Sequence, residues 1–167
     1  AEVYEDRTQD VDRAIQVYQE VRTIEEFNLP ALKGLERLYA RSERWQELLG
    51  VLEVQFEVVR SEKERIGILT QLAGMWEEEF VKPDKAAERL EQVLEIDPLH
   101  VGSLGGLARL YRTMQKWEQL IDTYDRHINA TPDRAEKVRI FKALGETYNR
   151  DLDDADRAVD AYPNVLS

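Results

Sequence analysis

The chain contains no cysteine, so disulfides, cysteine metal ligands and cysteine nucleophiles are excluded. It also lacks long apolar runs, since its apolar stretches are far shorter than a membrane-spanning helix requires. Only eight glycines and five prolines occur among 167 residues, which excludes a low-complexity chain. The first residues carry no secretory signal pattern. We therefore expect a folded protein of a reducing compartment, and predict a cytoplasmic location.

Positive charge is scarce. Lys and Arg total 23 against 34 Asp and Glu, which gives a formal net charge of -11 and a pI near 4.8. Binding to nucleic acid requires net basic surface that displaces counterions, and anionic membranes attract basic segments. The composition therefore predicts that neither nucleic acid nor a membrane is the partner.

Residues for catalysis are also missing. His100 and His127 are the only histidines, and no metalloprotease helix motif, nucleophile elbow or phosphate-binding glycine loop is present. The stretch "DLDDAD" at 151–156 resembles part of a calcium loop but lacks its glycine and its distal glutamate. We interpret it as a turn and helix cap, equivalent to the turns at "TQDVD" and "VKPDK". The sequence predicts no enzyme activity, no catalytic residue, no cofactor and no metal site.

An internal repeat of 72 residues is present instead. The pattern Asp, basic residue, Ala begins at Asp12, Asp84 and Asp156, at intervals of 72 residues. "GLERLY" at 34–39 corresponds to "GLARLY" at 106–111, and further residues match in the same register. Chance does not maintain one register along a whole chain, so the repeat is real.

Each repeat unit holds four helical patterns. Leucines and aromatic residues recur at helical spacing in 29–42, 45–60, 62–80 and 84–97, without strand-like alternation. Prolines 83, 98 and 132 and the repeated Asp are predicted to mark helix starts. The short loops require antiparallel packing of successive helices.

Half of this unit repeats again. Leu35, Leu72, Leu107 and Leu144 are separated by 37, 35 and 37 residues. A helix pair that recurs at this interval buries its apolar stripe only by stacking on its neighbours. The residues that follow one such pattern are Leu72, Ala73, Trp76, Ala86, Leu90, Val93 and Pro98, and those of the next are Leu107, Ala108, Tyr111, Tyr124 and Pro132.

These patterns resemble the tetratricopeptide repeat family, in a bacterial-type array of alternating repeat lengths. Leu48 and Leu120 depart from the family's preference for Ala, and Glu36 replaces a small residue. The resemblance implies an all-α fold, a right-handed α-solenoid (superhelix) of antiparallel helix pairs. We predict one array over 1–167, with a partial repeat at 1–28, repeats at 29–65, 66–100 and 101–137, and an incomplete repeat at 138–167.

The resemblance also predicts which residues line a concave, peptide-binding groove. The predicted binding residues are Lys33, Arg37, Arg41, Thr70, Arg109, Arg112, Arg139, Lys142, Asn149 and Arg150. Together with Glu77, Glu78 and Glu146, this face has eight basic and three acidic residues, a net +5 that leaves -16 elsewhere. Such segregation favours an acidic protein or peptide partner, although a merely solvated face stays open as an alternative. The carboxylate clamp of some family members is not carried over, because Arg37 and Gln71 replace its asparagines.

Two sets of residues are predicted to serve packing. Gly67, Gly74, Gly102 and Gly105 share the groove face, where glycine permits either close helix packing or space for a ligand backbone, and packing is favoured. Trp45 and Trp117 keep helical register with leucines, and we predict that both are largely buried.

The function hypothesis is a non-catalytic scaffold for protein–protein interaction. The alternative is a regulatory or oligomerising segment of a larger signalling enzyme. Both ends of the pattern stop within a helix pair, which predicts a fragment of a longer array. Apolar residues then lack neighbours and favour end-to-end self-association, and these are Val3, Tyr4, Val159, Tyr162 and Leu166. Pro163 is expected to interrupt the last helix.

Overall fold

The structure is a computed structural model that describes residues 2–151, with side chains described for residues 8–150. The regular structure of this part is helical. Its elements are α1 (Glu2–Ile24), α2 (Leu29–Arg41), α3 (Trp45–Val58), α4 (Glu62–Glu78), α5 (Pro83–Ile96), α6 (Val101–Thr113), α7 (Trp117–Ala130), α8 (Arg134–Glu146) and a π-helical turn (Thr147–Asp151). Several predictions fall outside the described part, namely the third copy of the repeated Asp at 156, Val159, Tyr162, Pro163, Leu166 and the side chains of Val3 and Tyr4.

Two compact units divide the chain at a point inside α4. Unit 1 is Ala1–Met75, and unit 2 is Trp76–Ser167. In unit 1, α2 packs against α1 and α3. In unit 2, α6 packs against α5 and α7, and α7 packs against α8. These contacts join sequential helices, as the short loops predict.

The predicted leucine stripes form the core of each unit. In unit 1 the side chains of Leu32, Leu35 and Leu52 are inaccessible to solvent, and in unit 2 the same holds for Leu104 and Leu107. Leu48 and Leu120, which replace the small residue that the family prefers, are also buried. The apolar periodicity of the sequence therefore identifies the buried face of the helices.

Side-chain caps fix the starts of α2, α6 and α8. Asn28 Oδ1 accepts a hydrogen bond from the Ala31 amide at 2.9 Å, and His100 Nδ1, 72 residues later, accepts one from the Ser103 amide at 3.1 Å. Asp133 Oδ1 accepts a hydrogen bond from the Ala135 amide. Each cap satisfies an amide that lacks an intrahelical partner.

Two of the three predicted proline starts are wrong. Pro83 is the first residue of α5, as predicted, but Pro98 and Pro132 precede the first residues of α6 and α8. The caps His100 and Asp133 follow these prolines and set the helix starts later.

The predicted turn at 8–12 is also wrong, because α1 runs without a break from Glu2 to Ile24. The corresponding turn between α4 and α5 contains Val81, with a φ of 52°, and Pro83. Gln9 and Val11 occupy these positions in α1, and neither interrupts a helix. Asp12 therefore does not cap a helix start; it forms an ion pair with Arg44. Asp84 does lie in the first turn of α5, although the N-cap residue is Lys82.

Both units repeat one close approach between helices. A Cβ atom on Gly34 of α2 would lie 2.5 Å from the Tyr18 ring of α1. A Cβ atom on Gly106 of α6 would lie 2.8 Å from Leu90 of α5. Gly106 and Leu90 follow Gly34 and Tyr18 by 72 residues each, so this contact is part of the repeat.

Trp45 and Trp117 are mostly but not fully buried, in agreement with the prediction that they are largely buried. Each is the first residue of its helix, α3 or α7. A side chain at a helix end is covered from fewer directions than one in the middle of a packed face. Truncation of either indole should therefore cost less than the roughly 3–5 kcal/mol of a fully buried tryptophan.

Candidate functional site

A pocket in unit 2 lies among α6, α7 and α8. Its volume is about 400 Å³. Helix α6 contributes Gly105, Ala108, Arg109, Arg112 and Thr113; α7 contributes Tyr124 and His127; and α8 contributes Glu136, Arg139, Ile140 and Ala143. We call this the α6–α8 pocket.

Small residues keep the α6–α8 pocket open. Gly105 carries no side chain, and a Cβ atom there would have its nearest neighbour, His127 Cε1, at 4.0 Å. The equivalent residue of unit 1, 72 positions earlier, is Lys33, and Glu36 likewise corresponds to Ala108. Gln55, the equivalent of His127, donates a hydrogen bond from Nε2 to Glu36 Oε2 at 2.7 Å. The pocket therefore follows from residues that differ between the units and not from the helix repeat alone.

Two of the pocket arginines have acidic partners. Arg109 forms two hydrogen bonds with Glu77 at the end of α4, of which Nη2–Oε2 measures 2.9 Å. These bonds raise the pKa of Arg109, against a smaller effect of burial. Arg139 Nη1 lies 3.1 Å from Glu136 Oε2. Both arginines are largely exposed, so each ion pair contributes little to stability.

Arg112 has no such partner among the described residues. Its Nη2 donates hydrogen bonds to Tyr124 Oη at 3.0 Å and to Thr147 Oγ1 at 3.3 Å, and both acceptors are uncharged. Its Nε atom is buried and has no acceptor in the described part of the chain. Arg112 is half-buried, so the pocket contains one positive charge that forms no ion pair with a carboxylate of the described residues.

His127 forms part of the pocket wall and is buried, with 9% of its surface exposed. Burial lowers the pKa of His127, and the nearby Glu136 opposes this with a smaller effect. The imidazole is therefore neutral at neutral pH and adds no charge to the pocket.

The other predicted binding residues lie outside this pocket. Lys142 is exposed on α8, and Asn149 and Arg150 are exposed in the π-helical turn. In unit 1, Arg37 and Arg41 are exposed on α2, and Lys33 Nζ lies 3.8 Å from Glu64 Oε1. The structure thus brings Arg109, Arg112 and Arg139 together.

The hydroxyl of Thr70, on α4, donates to the Ile66 carbonyl at 2.8 Å. A threonine in a helix commonly forms this bond with its own preceding turn. The exposed Thr70 therefore presents a hydroxyl whose proton is already engaged.

Sequence reasoning missed two acidic residues and part of the pocket wall. Glu64 and Glu136 pair with predicted binding residues, so the positive excess of the predicted face is smaller than +5. The spacing of Glu136 and Arg139, three residues apart in a helix, could have revealed that pair. Tyr124 was taken only as a packing residue, and Ile140 gave no signal beyond its apolar character.

The packing interpretation of two groove glycines is wrong. A Cβ atom on Gly67 or on Gly74 would meet no atom within 4 Å in the described structure. A Cβ atom on Gly102 would approach only the ring of His100, two residues earlier, at 3.4 Å. These glycines leave open space beside their helices, which agrees with the alternative that the sequence left open.

The described residues contain neither a metal-binding cluster nor a membrane-spanning helix. No group of three or more histidine, cysteine, aspartate and glutamate side chains is placed there to hold a metal ion. No helix in that part combines the length and apolar character needed to cross a membrane.

Comparison with known proteins identifies the fold. The family model described as "Tetratricopeptide repeat" matches residues 31–66 and 103–138. No curated protein matches the sequence significantly.

Solved structures share the helix-pair architecture at low sequence identity. A crystal structure of MamA is 17% identical, with a TM-score of 0.58 over 98% of this chain and 85% of that chain. YrrB, described as a TPR protein with an unusual peptide-binding site, is 16% identical, with a TM-score of 0.57 over 96% and 82%. BtubC from P. vanneervenii is 16% identical, with a TM-score of 0.53 over 96% and 74%.

These similarities confirm the predicted fold class, an all-α solenoid of antiparallel helix pairs. The matched repeats fall on the helix pairs that the 72-residue repeat predicts, α2 with α3 and α6 with α7. Residues 31–66 and 103–138 therefore match tetratricopeptide repeats, and the chain shares the fold of proteins built from them.

Proposed function

We propose that this chain is a non-catalytic scaffold that binds a segment of a partner protein, and that the segment is acidic. The observation that carries the proposal is the α6–α8 pocket, in which Arg112 has no acidic partner among the described residues. The match to tetratricopeptide repeats supports a binding role, and a protein with the same fold, YrrB, is described as having a peptide-binding site.

The charge distribution supports an acidic ligand in particular. The chain carries a net charge of -11, so a pocket arginine without an acidic partner among the described residues contrasts with the charge of the chain. A carboxylate accepts two parallel hydrogen bonds from a guanidinium, and such a bond is stronger inside a pocket than in bulk water. Arg37 and Lys142, which are exposed, add positive charge on the predicted binding face.

Titration with a labelled acidic peptide tests the proposal. Affinity is expected to fall steadily as salt increases, because the attraction is screened. The double charge reversal Arg37→Glu and Lys142→Glu should weaken binding of this peptide relative to the wild-type chain. The reversal Arg13→Glu and Arg60→Glu is the matched control, because it changes the net charge equally at exposed residues outside the predicted face. Equal loss in both variants, or binding that is insensitive to salt, contradicts the proposal.

The predicted end-to-end self-association stays a separate prediction. Light scattering over a concentration series tests it, with a mass that rises with concentration as the expected result. A constant monomer mass contradicts it.

A further inference from the structure

We infer that the α6–α8 pocket is the primary recognition site of the chain, and that it takes a large apolar side chain whose neighbour in the ligand is Asp or Glu. This inference rests on the proposed function and names the ligand that the pocket selects. It goes further in assigning selection to unit 2 and to residues that unit 1 lacks.

The pocket offers an apolar contact surface. Ala108 and Ile140 are buried residues of α6 and α8 that line it, together with Ala143. A volume of about 400 Å³ is ample for one leucine, methionine or phenylalanine side chain. Burying such a side chain contributes the largest share of affinity in most peptide grooves, whereas the polar rim determines orientation.

Arg112 supplies the second element of recognition. The buried Nε atom of Arg112 has no acceptor among the described residues. Its Nη2 atom donates to two neutral groups, the hydroxyls of Tyr124 and Thr147. A half-buried guanidinium favours an anionic partner, and Arg109 and Arg139 already have theirs in Glu77 and Glu136. The ligand carboxylate is therefore expected at Arg112.

Comparison of the units identifies the selective residues. At the positions of Gly105 and Ala108, unit 1 has Lys33 and Glu36, and at the position of Arg112 it has Ala40. Unit 1 therefore carries two long side chains where unit 2 has a hydrogen and a methyl group, and it has no equivalent of Arg112. The open apolar pocket and its arginine therefore depend on residues that are specific to unit 2.

The exchange of these residues provides the test. The variant Gly105→Lys with Ala108→Glu gives α6 the residues that α2 carries, and Lys is better tolerated in a helix than glycine. The matched control is Gly50→Lys with Gln46→Glu, the same kinds of change at exposed positions of α3 outside the predicted groove. The probe is a phage-displayed library of random peptides, selected against the full chain, followed by titration of the selected peptides with each variant.

Selected peptides are expected to combine Asp or Glu with a neighbouring Leu, Ile, Met or Phe. Their affinity should fall by about tenfold or more in the Gly105→Lys, Ala108→Glu variant and stay near the wild-type value in the Gly50→Lys, Gln46→Glu control. Arg112→Gln should remove the advantage of Glu over Gln in the peptide, and Arg112→Lys should retain part of it. Unchanged thermal stability of the variants separates these losses from unfolding.

Two results would overturn the inference and differ in what they leave standing. Acidic peptides that bind wild type and the Gly105→Lys, Ala108→Glu variant equally refute the pocket but retain the proposed acidic ligand. A selection that yields no specific peptide, or only basic ones, refutes both.

Discussion

At the scale of single residues, the two units place different polar groups at equivalent positions. Gln55 and His127 lie 72 residues apart, and both are buried, with 2% and 9% of their surface exposed. Gln55 donates a hydrogen bond to Glu36, whereas the position of Glu36 is Ala108 in unit 2. Buried polar groups are expensive without partners, so these positions affect stability in different ways.

Protonation of His127 is predicted to destabilise the fold. Burial lowers its folded-state pKa below the ordinary value of 6.5, so the unfolded chain binds the proton more readily. The contribution of this residue is therefore fully present above a pH of about 6.5 and is lost as pH falls below it. Urea unfolding from about pH 8 to about pH 5 measures this.

The matched variant is His127→Gln, the residue that unit 1 uses at this position. It should reduce the loss of stability below a pH of about 6.5. An unchanged pH profile would mean that other groups dominate acid destabilisation.

Val81 is predicted to be strained. It is a β-branched residue with a φ of 52°, and 75% of its surface is exposed. Glycine adopts this backbone conformation without steric cost, so Val81→Gly should raise the free energy of unfolding by about 1 kcal/mol. Val17→Gly, at an exposed position inside α1, should lower it by about 0.5 kcal/mol. Chemical denaturation compares the two, and loss of stability in Val81→Gly would show that this conformation is not strained.

At the scale of helices, glycine has two separate roles. Gly34 and Gly106 allow α2 and α6 to approach the preceding helices α1 and α5 closely. Gly67 and Gly74 in α4 have open space beside them, and their flexibility destabilises the helix without a packing benefit in the described structure. The same residue type therefore predicts opposite effects of alanine substitution.

Alanine at these glycines should separate the roles. Gly67→Ala should raise the free energy of unfolding by about 0.5–1 kcal/mol through helix propensity. Gly34→Ala should lower it by about 1–3 kcal/mol, because the Tyr18 ring must move. In a Tyr18→Ala background the penalty at Gly34 should largely disappear, as a double-mutant cycle can measure. Additive losses would contradict direct contact.

At the scale of the whole molecule, negative charge is in excess. The net charge of -11 implies mutual repulsion in the folded state, whereas the ion pairs of the described residues are mostly exposed and contribute little. Salt screens both the repulsion among like charges and the attraction within ion pairs, and we expect the repulsion to have the larger effect on stability.

The melting temperature is therefore predicted to rise with salt. Between low ionic strength and about 0.15 M we expect an increase of roughly 1–3 °C, corresponding to about 1 kcal/mol or less. Calorimetry in buffers of increasing sodium chloride measures it. A melting temperature that falls with salt would mean that ion pairs outweigh repulsion. Affinity for the acidic peptide should change in the opposite sense.

The sequence by itself determined the helical repeat and its core. Apolar residues at helical spacing and the 72-residue register are local properties of the chain, so Leu35, Leu72 and Leu107 were correctly placed inside. It could also rank Arg109, Arg112 and Arg139 as candidates, because the family pattern assigns each to a face. The repeat wrongly predicted a turn inside α1, which continues as one helix because Val11 stands at the position of Pro83.

Only the tertiary structure decided which charges are compensated and where space remains. Arg109 meets Glu77 across 32 residues of sequence, and Arg126 meets Glu91 across 35. Such pairs depend on the distance between side chains of different helices, which periodicity does not specify. The same holds for the α6–α8 pocket, which Gly105 lines together with His127 and Ile140 of other helices, and for Arg112, whose proposed binding role depends on the lack of an ion pair with a carboxylate of the described residues.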